Sequence, residues 1–309
     1  MDLGGGLVIK KPTGITSHDT LDKLRKILPD ISIGHTGTLD PQADGVLFTL
    51  LGKATKISSF IENWDKEYLA KIKLGVRTDT FDLEGKILKA VEEIQVSESE
   101  IKDSVESLVG EISQTPPVYS AIKYKGKKLY EYARAGEEVK PKKRRVIIKN
   151  LEIINICLPY LELKINCSKG TYIRSIANDL GEKLGCGAVL AALTRTKVGS
   201  YDLAQSLTID KVKEICAKNK ISDYIIPISE ILKDFPKIVV NEEGSEKVKN
   251  GAELKKENVT AVDKFQSGEK VKVMSSREEL LAIGKFLVSD TELEKGLMGK
   301  NFQYLRVLN

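Results

Sequence analysis

The 309 residues are 41% hydrophobic and 30% charged, which excludes a disordered or fibrous chain and suffices for two packed domains. No apolar run approaches ~20 residues, and Met1-Asp2-Leu3-Gly4-Gly5-Gly6 lacks a basic stretch followed by an apolar one. Neither a membrane span nor a signal segment is predicted, and a cytoplasmic protein is expected. Cys157, Cys167, Cys186 and Cys216 lie 10, 19 and 30 residues apart with only His18 and His35 beside them, so reduced thiols and no metal site are expected.

Leu7-Val8-Ile9 predicts a short strand entering the turn Lys10-Lys11-Pro12-Thr13-Gly14. Thr16 or Ser17 then caps a helix with apolar face Leu21, Leu24 and Leu28, stopped by Pro29. His18 falls in its first turn, where a capping or surface role outweighs a catalytic one.

The segment Ile33 to Gly45 packs three glycines, His35, Asp40 and Asp44 into thirteen residues, then passes into the apolar run Val46 to Leu51. It reads as a loop feeding a buried strand. Its glycines permit unusual backbone shapes, and Pro41 keeps Asp40 out of the helical region, so a carboxylate stands on a stiff, extended turn. Asx-Pro pairs also start ordinary turns, and spacing alone favours that simpler reading.

Gly52 to Lys56 leads to a second amphipathic helix carrying Ile57, Phe60 and Ile61, with Trp64 closing its end. Tyr68 to Leu74 alternates at period two, which puts Tyr68, Ala70, Ile72 and Leu74 on one inward face and leaves the Tyr68 hydroxyl in need of a partner. Arg77 to Asp82 is a polar loop, and Ser97 to Val109 a helix through Ile101, Val105 and Leu108.

Between Tyr119 and Lys149 stand eight Lys and three Arg against three Glu, a local net charge of +8 in a chain whose total is +5. Tyrosines 119, 124, 130 and 132 interleave with it, a mixture suited to a phosphate backbone and equally to a solvated basic face. Two prolines stiffen its entry at Thr115 to Ala121, and Leu129 to Ala135 forms a short helix ended by Gly136.

Strands Val146 to Ile156 and Leu161 to Asn166 follow. The turn Ser168-Lys169-Gly170-Thr171 launches a helix through Tyr172, Ile173, Ile176 and Leu180, with Arg174 in its first turn. All nine prolines lie at or before Pro236, and short strand-like runs follow at Lys237 to Val240, Val259 to Val262, Val271 to Val273 and Leu280 to Ile283. That change of texture predicts a small separate β-barrel or sandwich, with a boundary near Ser229 to Pro236.

Several ordered blocks carry a resemblance. They are Lys11-Pro12-Thr13-Gly14-Ile15-Thr16-Ser17, Gly34-His35-Thr36-Gly37-Thr38-Leu39-Asp40-Pro41, Tyr68, Leu74-Gly75-Val76-Arg77-Thr78-Asp79-Thr80, Pro116-Pro117-Val118-Tyr119-Ser120-Ala121, Gly126-Lys127-Lys128-Leu129-Tyr130, Ser168-Lys169-Gly170-Thr171-Tyr172-Ile173-Arg174 and Leu184-Gly185-Cys186-Gly187-Ala188. With them the chain resembles the bacterial tRNA pseudouridine synthases of the TruB family. The resemblance implies isomerisation of uridine 55 in the tRNA T loop, the uracil being detached at N1 and rejoined to the ribose through C5, without cofactor or metal.

By the same resemblance Asp40 is the nucleophilic aspartate, Arg174 its ion-pair partner, and Tyr68 the residue that stacks on the target base and assists proton removal at C5. A nucleophilic carboxylate must be ionised, and a neighbouring guanidinium favours that form. Whether it attacks the ribose or the uracil is left open. His35, Tyr172 and Leu193 match positions that contact the RNA or line the pocket, with His35 where the extruded nucleotide leaves its loop.

The implied fold is α+β, a mixed, mainly antiparallel sheet with flanking helices over residues 1–232, followed by a PUA-like barrel over residues 233–309. The implied partner of this monomer is tRNA, held at its T arm and acceptor end. Lys237 to Asn309 carries thirteen basic and twelve acidic residues, so bulk charge gives that module little reason to bind RNA. Two alternatives stand beside this reading: a tRNA-binding or tRNA-folding protein with incidental activity, and a guide-RNA-dependent relative that requires partner proteins.

Overall fold

In the computed structural model, which describes residues 3–139, 141–289 and 302–308, the first apolar run is the strand β1 (Gly5–Lys11). Helix α1 (Ser17–Ile27) is capped by Thr16, whose hydroxyl accepts from Asp19 N–H while the Asp19 carboxylate accepts from Thr16 N–H. Ser17 is buried instead. His18 is a surface residue beside Asp22.

The short strand β2 (Ile33–His35) and the strand β3 (Asp44–Leu51) bracket the Asp40 loop. From Gly45 onward β3 is buried on both faces, which is why it reads as an unbroken apolar run. The helix expected next is instead a 3-10 turn, Gly52–Ile57, followed by a single α-turn, α2 (Ser58–Ile61). Thr55 Oγ1 donates to Gly52 C=O at 2.8 Å, and that local bond suits the tighter winding. Trp64 closes that turn, its N–H donating to Ile61 C=O at 3.1 Å, and packs its ring edge-on against Phe48.

Strand β4 (Lys66–Leu74) alternates as expected, with Tyr68, Ala70, Ile72 and Leu74 buried and Leu69 and Lys71 facing solvent. A hairpin of β5 (Val76–Thr78) and β6 (Ile87–Ala90), the helix α3 (Glu98–Glu106) and the strand β7 (Gly110–Gln114) come next. The basic segment folds as a small hairpin, β8 (Lys123–Tyr124) and β9 (Lys127–Lys128), the helix α4 (Leu129–Arg134) and the start of β10 (Arg144–Cys157). Lys140 lies outside the described residues. Strand β11 (Tyr160–Cys167), helix α5 (Ile173–Lys183) and strand β12 (Ala188–Val198) complete the part that builds the site.

The large sheet runs β14-β1-β3-β12-β4-β11-β10-β7, where β14 is Ile226–Pro227, with β2 added on β3 and β13 (Tyr201–Asp202) on β12. Every pairing but one is antiparallel. The exception is β3 with β12, joined only at Thr194↔Asp44 and Arg195↔Gly45. This is the α+β fold implied by the sequence, and its centre is β12, which the sequence reading did not assign. Helix α5 covers one face through Ile173, Ile176, Ala177 and Leu180, in a core shared with Ala70, Ile72, Leu163 and Ile165. The helix α6 (Ile209–Ala217), which the sequence did not announce either, packs with α1 through Val212 and Ile215.

After α7 (Ile228–Ile231) the remaining described strands form one five-stranded sheet, ordered β16-β15-β17-β18-β19. They are β15 (Lys237–Val240), β16 (Val259–Val262), β17 (Lys270–Ser275), β18 (Leu280–Phe286) and β19 (Phe302–Val307), with helix α8 (Glu242–Lys249) between the first two. Ile283 and Leu308 join a core cluster with Val8, Val46 and Phe48, so this module is seated on the large sheet. Among the described residues no helix is long and apolar enough to cross a membrane.

Candidate active site

Asp40 stands on a loop that is fixed from three directions. Leu39 is buried, its N–H donates to Ser17 Oγ at 2.9 Å, and Ser17 Oγ–H donates back to Leu39 C=O at 3.1 Å. Lys11, fully buried, donates its ammonium to the carbonyls of Pro12, Pro41 and Ala43 at 2.8, 3.1 and 2.6 Å. Arg195, 1% exposed, donates Nη2 to Gly37 C=O at 3.0 Å and Nε to Val46 C=O at 2.7 Å. Gly45 permits this approach: its φ is +104°, and a Cβ there would stand 2.2 Å from Arg195 O. These bonds hold the loop backbone and leave the Asp40 carboxylate projecting, 44% exposed.

Burial pushes the Lys11 ammonium down to about 8 from its ordinary 10.5. Below pH 8 the folded and unfolded chains both keep that proton; between about 8 and 10.5 only the unfolded chain does, so the Lys11 contribution to stability rises with pH across that window. The difference in unfolding free energy between wild type and Lys11→Met should therefore move in favour of wild type from pH 8 toward pH 10, as urea unfolding of both proteins at each pH would register.

The partner of Asp40 comes from the first turn of α5. Tyr172 precedes α5, and its backbone is clamped by Gln114, which accepts from Tyr172 N–H at 2.8 Å and donates to Tyr172 C=O at 3.1 Å. That fixes the first turn of α5 and sends Arg174 across to the loop. Its Nε lies 2.9 Å from Asp40 Oδ2 as a close ion contact, and Nη2 donates to Asp40 Oδ1 at 3.2 Å. The same guanidinium donates to Thr80 C=O at 3.2 Å, Asp82 Oδ2 at 3.4 Å and Tyr119 C=O at 3.0 Å. One buried arginine thus gathers four segments that are distant in sequence.

Asp40, Arg174, Tyr68, Tyr172 and Leu193 line one cavity of about 360 Å³ together with Lys66 and Arg195. Five of the six residues singled out in the sequence therefore meet. His35 does not line that cavity; it sits on β2 opposite Thr49, with Nδ1 buried and unpaired. Burial, then the Arg195 charge, lowers its basicity.

Tyr68 is inward as expected, and burial raises its hydroxyl above the ordinary tyrosine range while the adjacent Arg195 guanidinium pulls it down. Burial likewise raises the Tyr172 hydroxyl. Lys66, held by the carbonyls of Glu62 and Trp64, is pushed by burial down to about 8.

The sequence reading gave no role to Lys11, Lys66, Asp82 or Arg195. Lys11 stands in a quoted block but reads as a surface lysine, and Arg195 carries no local signal because its burial depends on strands brought together from residues 44, 68 and 195.

The basic segment borders this cavity through Ser120 and Ala121. Its tyrosines are packed rather than splayed: Tyr124 and Tyr132 meet edge-on at 5.9 Å, and Tyr132 Oη–H donates to Tyr124 C=O. Lys127 lies over Tyr132, and Lys128 and Arg134 lie over Tyr130, at 5.4 to 5.7 Å. The result is a cationic ridge with ordered rings beside the mouth. Among the described residues no cluster of His, Cys, Asp and Glu could hold a metal ion.

Family models match the chain in three consecutive parts. Residues 25–173 match the N-terminal domain of the TruB family pseudouridylate synthases, residues 174–233 a tRNA pseudouridylate synthase B C-terminal domain, and residues 236–308 a PUA domain. The chain is 42% identical over 283 residues to the tRNA pseudouridine synthase B of Clostridium tetani, covering 92% of this chain and 96% of that protein. It is 39% identical over 281 residues to that of Thermotoga maritima, covering 91% and 89%. Among solved structures it resembles a chain of an H/ACA RNP bound to a substrate RNA containing 2′-deoxyuridine, with a TM-score of 0.76 at 23% identity over 99% of this chain and 86% of that one. A chain of an archaeal box H/ACA sRNP complex gives 0.75 at 25% identity, over 99% and 86%.

Proposed function

The chain belongs to the TruB family of pseudouridylate synthases and forms pseudouridine in tRNA, and from that premise we propose that it acts on uridine 55 of the T loop with Asp40 as the nucleophile. The observation that carries the proposal is the ion pair between Asp40 and the buried Arg174, 2.9 Å apart and open to a cavity that also holds Tyr68. Three further hydrogen bonds from Arg174, to Thr80, Asp82 and Tyr119, keep the pair in place, so the carboxylate is aimed before any substrate arrives.

A T-loop uridine is stacked inside folded RNA, and drawing it out costs a few kcal/mol. In this reading the cationic ridge beside the mouth offsets that cost by holding phosphates, Tyr68 supports the extruded base, Tyr172 and Leu193 bound the pocket, and His35 marks the exit from the loop. Asp40 engages the nucleotide, the bond from C1′ to N1 breaks, and C5 of the turned uracil takes the place of N1 as Asp40 is released, C5 losing its proton and N1 gaining one. Residues 1–232 carry the chemistry, and residues 233–309 bind the acceptor end of the same tRNA. The protein works as a monomer in the cytoplasm, where tRNA resides, and uses no cofactor.

A guide-dependent mode of action draws on the likeness to H/ACA proteins, which at 23% identity speaks for the fold alone. The relatives from Clostridium tetani and Thermotoga maritima, at about 40% identity, are tRNA pseudouridine synthases B, and they favour the stand-alone enzyme. Incubating the purified protein with an unmodified tRNA transcript and mapping every uridine tests this directly. The expected result is one pseudouridine, at position 55; product at another position, or only with an added guide RNA, would overturn it.

A further inference from the structure

The cavity holds four cationic side chains, and their charges are not equally spent. Arg174 faces two carboxylates, Asp40 and Asp82, and Lys169 pairs with Glu62 at 2.9 Å. Lys66 is held by backbone carbonyls, and burial brings it to about 8, so it gives up its proton more readily than a guanidinium does. Arg195 differs from all three. Its hydrogen bonds go to the neutral carbonyls of Val46, Gly37 and Thr38, no carboxylate of the described residues pairs with it, and a guanidinium keeps its proton.

An unpaired buried cation is costly to keep. This one sits directly opposite Tyr68 in the ladder between β12 and β4, beside the phenol hydroxyl and at the wall of the cavity. The isomerisation has a step that calls for such a charge. When the bond from C1′ to N1 breaks, its electron pair leaves with the uracil, which stays anionic until C5 bonds to C1′ and Asp40 is released; C5 then gives up its proton and N1 takes one up. Over that interval Asp40 is engaged with the nucleotide, and Arg174 keeps Asp82 as its counterion.

We propose that Arg195 is a positioning residue of the reaction: it fixes Tyr68 against the base and, from behind that ring, presents an uncompensated positive charge that stabilises the detached uracil. The proposal rests on the reading of Asp40 and Tyr68 given above. It goes beyond holding the Gly37 to Val46 backbone, a task any well-placed donor would serve.

The test compares first-turnover rates on two tRNA transcripts, one with uridine and one with 5-fluorouridine at the target position, for wild type, Arg195→Gln and Arg195→Lys. Fluorine at C5 makes the detached ring a weaker base that needs less help from the protein. Arg195→Gln should slow consumption of uridine by about 10²-fold and of 5-fluorouridine by less than about tenfold, with tRNA affinity unchanged. Arg195→Lys, which keeps the charge, should stay within about tenfold of wild type on uridine, and it carries the test if the glutamine variant does not fold.

Equal slowing of both substrates, or a lysine variant as slow as the glutamine variant, would overturn the proposal and leave Arg195 a structural residue. Absence of product from wild type in the same assay would instead overturn the functional reading on which the proposal rests.

Discussion

Arg174→Met is expected to slow pseudouridine formation by about 10³-fold and to lower the unfolding free energy by about 3 kcal/mol. The two effects have different sources. Asp40 is 44% exposed and solvent screens it, so losing its partner costs stability little. Asp82 is 22% exposed, and the carbonyls of Thr80 and Tyr119 lose a donor in a buried setting, which is where the stability cost arises.

The rate falls because Arg174 ties the Asp40 carboxylate itself to α5 and to the Thr80 to Asp82 turn; without it the carboxylate loses its aim. Arg174→Lys keeps one charge but cannot reach four acceptors from a single ammonium, so it should recover more stability than rate. Urea unfolding and first-turnover kinetics on the same preparations separate the two effects. A methionine variant that is destabilised but reacts at the wild-type rate would show that the ion pair serves the fold only.

How much of this was legible in the sequence follows from where each signal resides. Tyr68 could be placed inward because period-two burial is a local property of a half-buried strand, and β4 obeys it. The capping candidates Thr16 and Ser17 announced the first helix in the same way, and Thr16 is the cap. Asp40 and Arg174 could not be joined by spacing, since 134 residues separate them; the resemblance to a known family paired them, and the fold places them 2.9 Å apart.

β12 escaped because Ala188 to Leu193 is rich in Ala and Leu, residues with no strand signature, and its strand geometry is imposed by β3 and β4 on either side. The buried cations Lys11, Lys66 and Arg195 escaped for a related reason. Lysine and arginine are read as solvent-facing, and only the assembled loop and sheet supply the carbonyls that make their burial tolerable.

Asp40→Asn is expected to remove pseudouridine formation by about 10⁴-fold or more while leaving tRNA affinity within about twofold of wild type. Asparagine keeps the shape of the side chain and an oxygen for Arg174 Nη2, so the loop held by Lys11, Ser17 and Arg195 stays in place. What it lacks is the negative oxygen that forms the bond. RNA affinity rests on many cations spread over the ridge and is insensitive to one neutralised acid.

The decisive measurement is therefore made with Asp40→Asn at protein concentrations that saturate the tRNA, reading bound fraction by filter retention and pseudouridine at position 55 by nucleotide mapping. Full retention of the tRNA with no pseudouridine is the predicted result, and pseudouridine accumulating within about tenfold of the wild-type rate would contradict a nucleophilic role for residue 40.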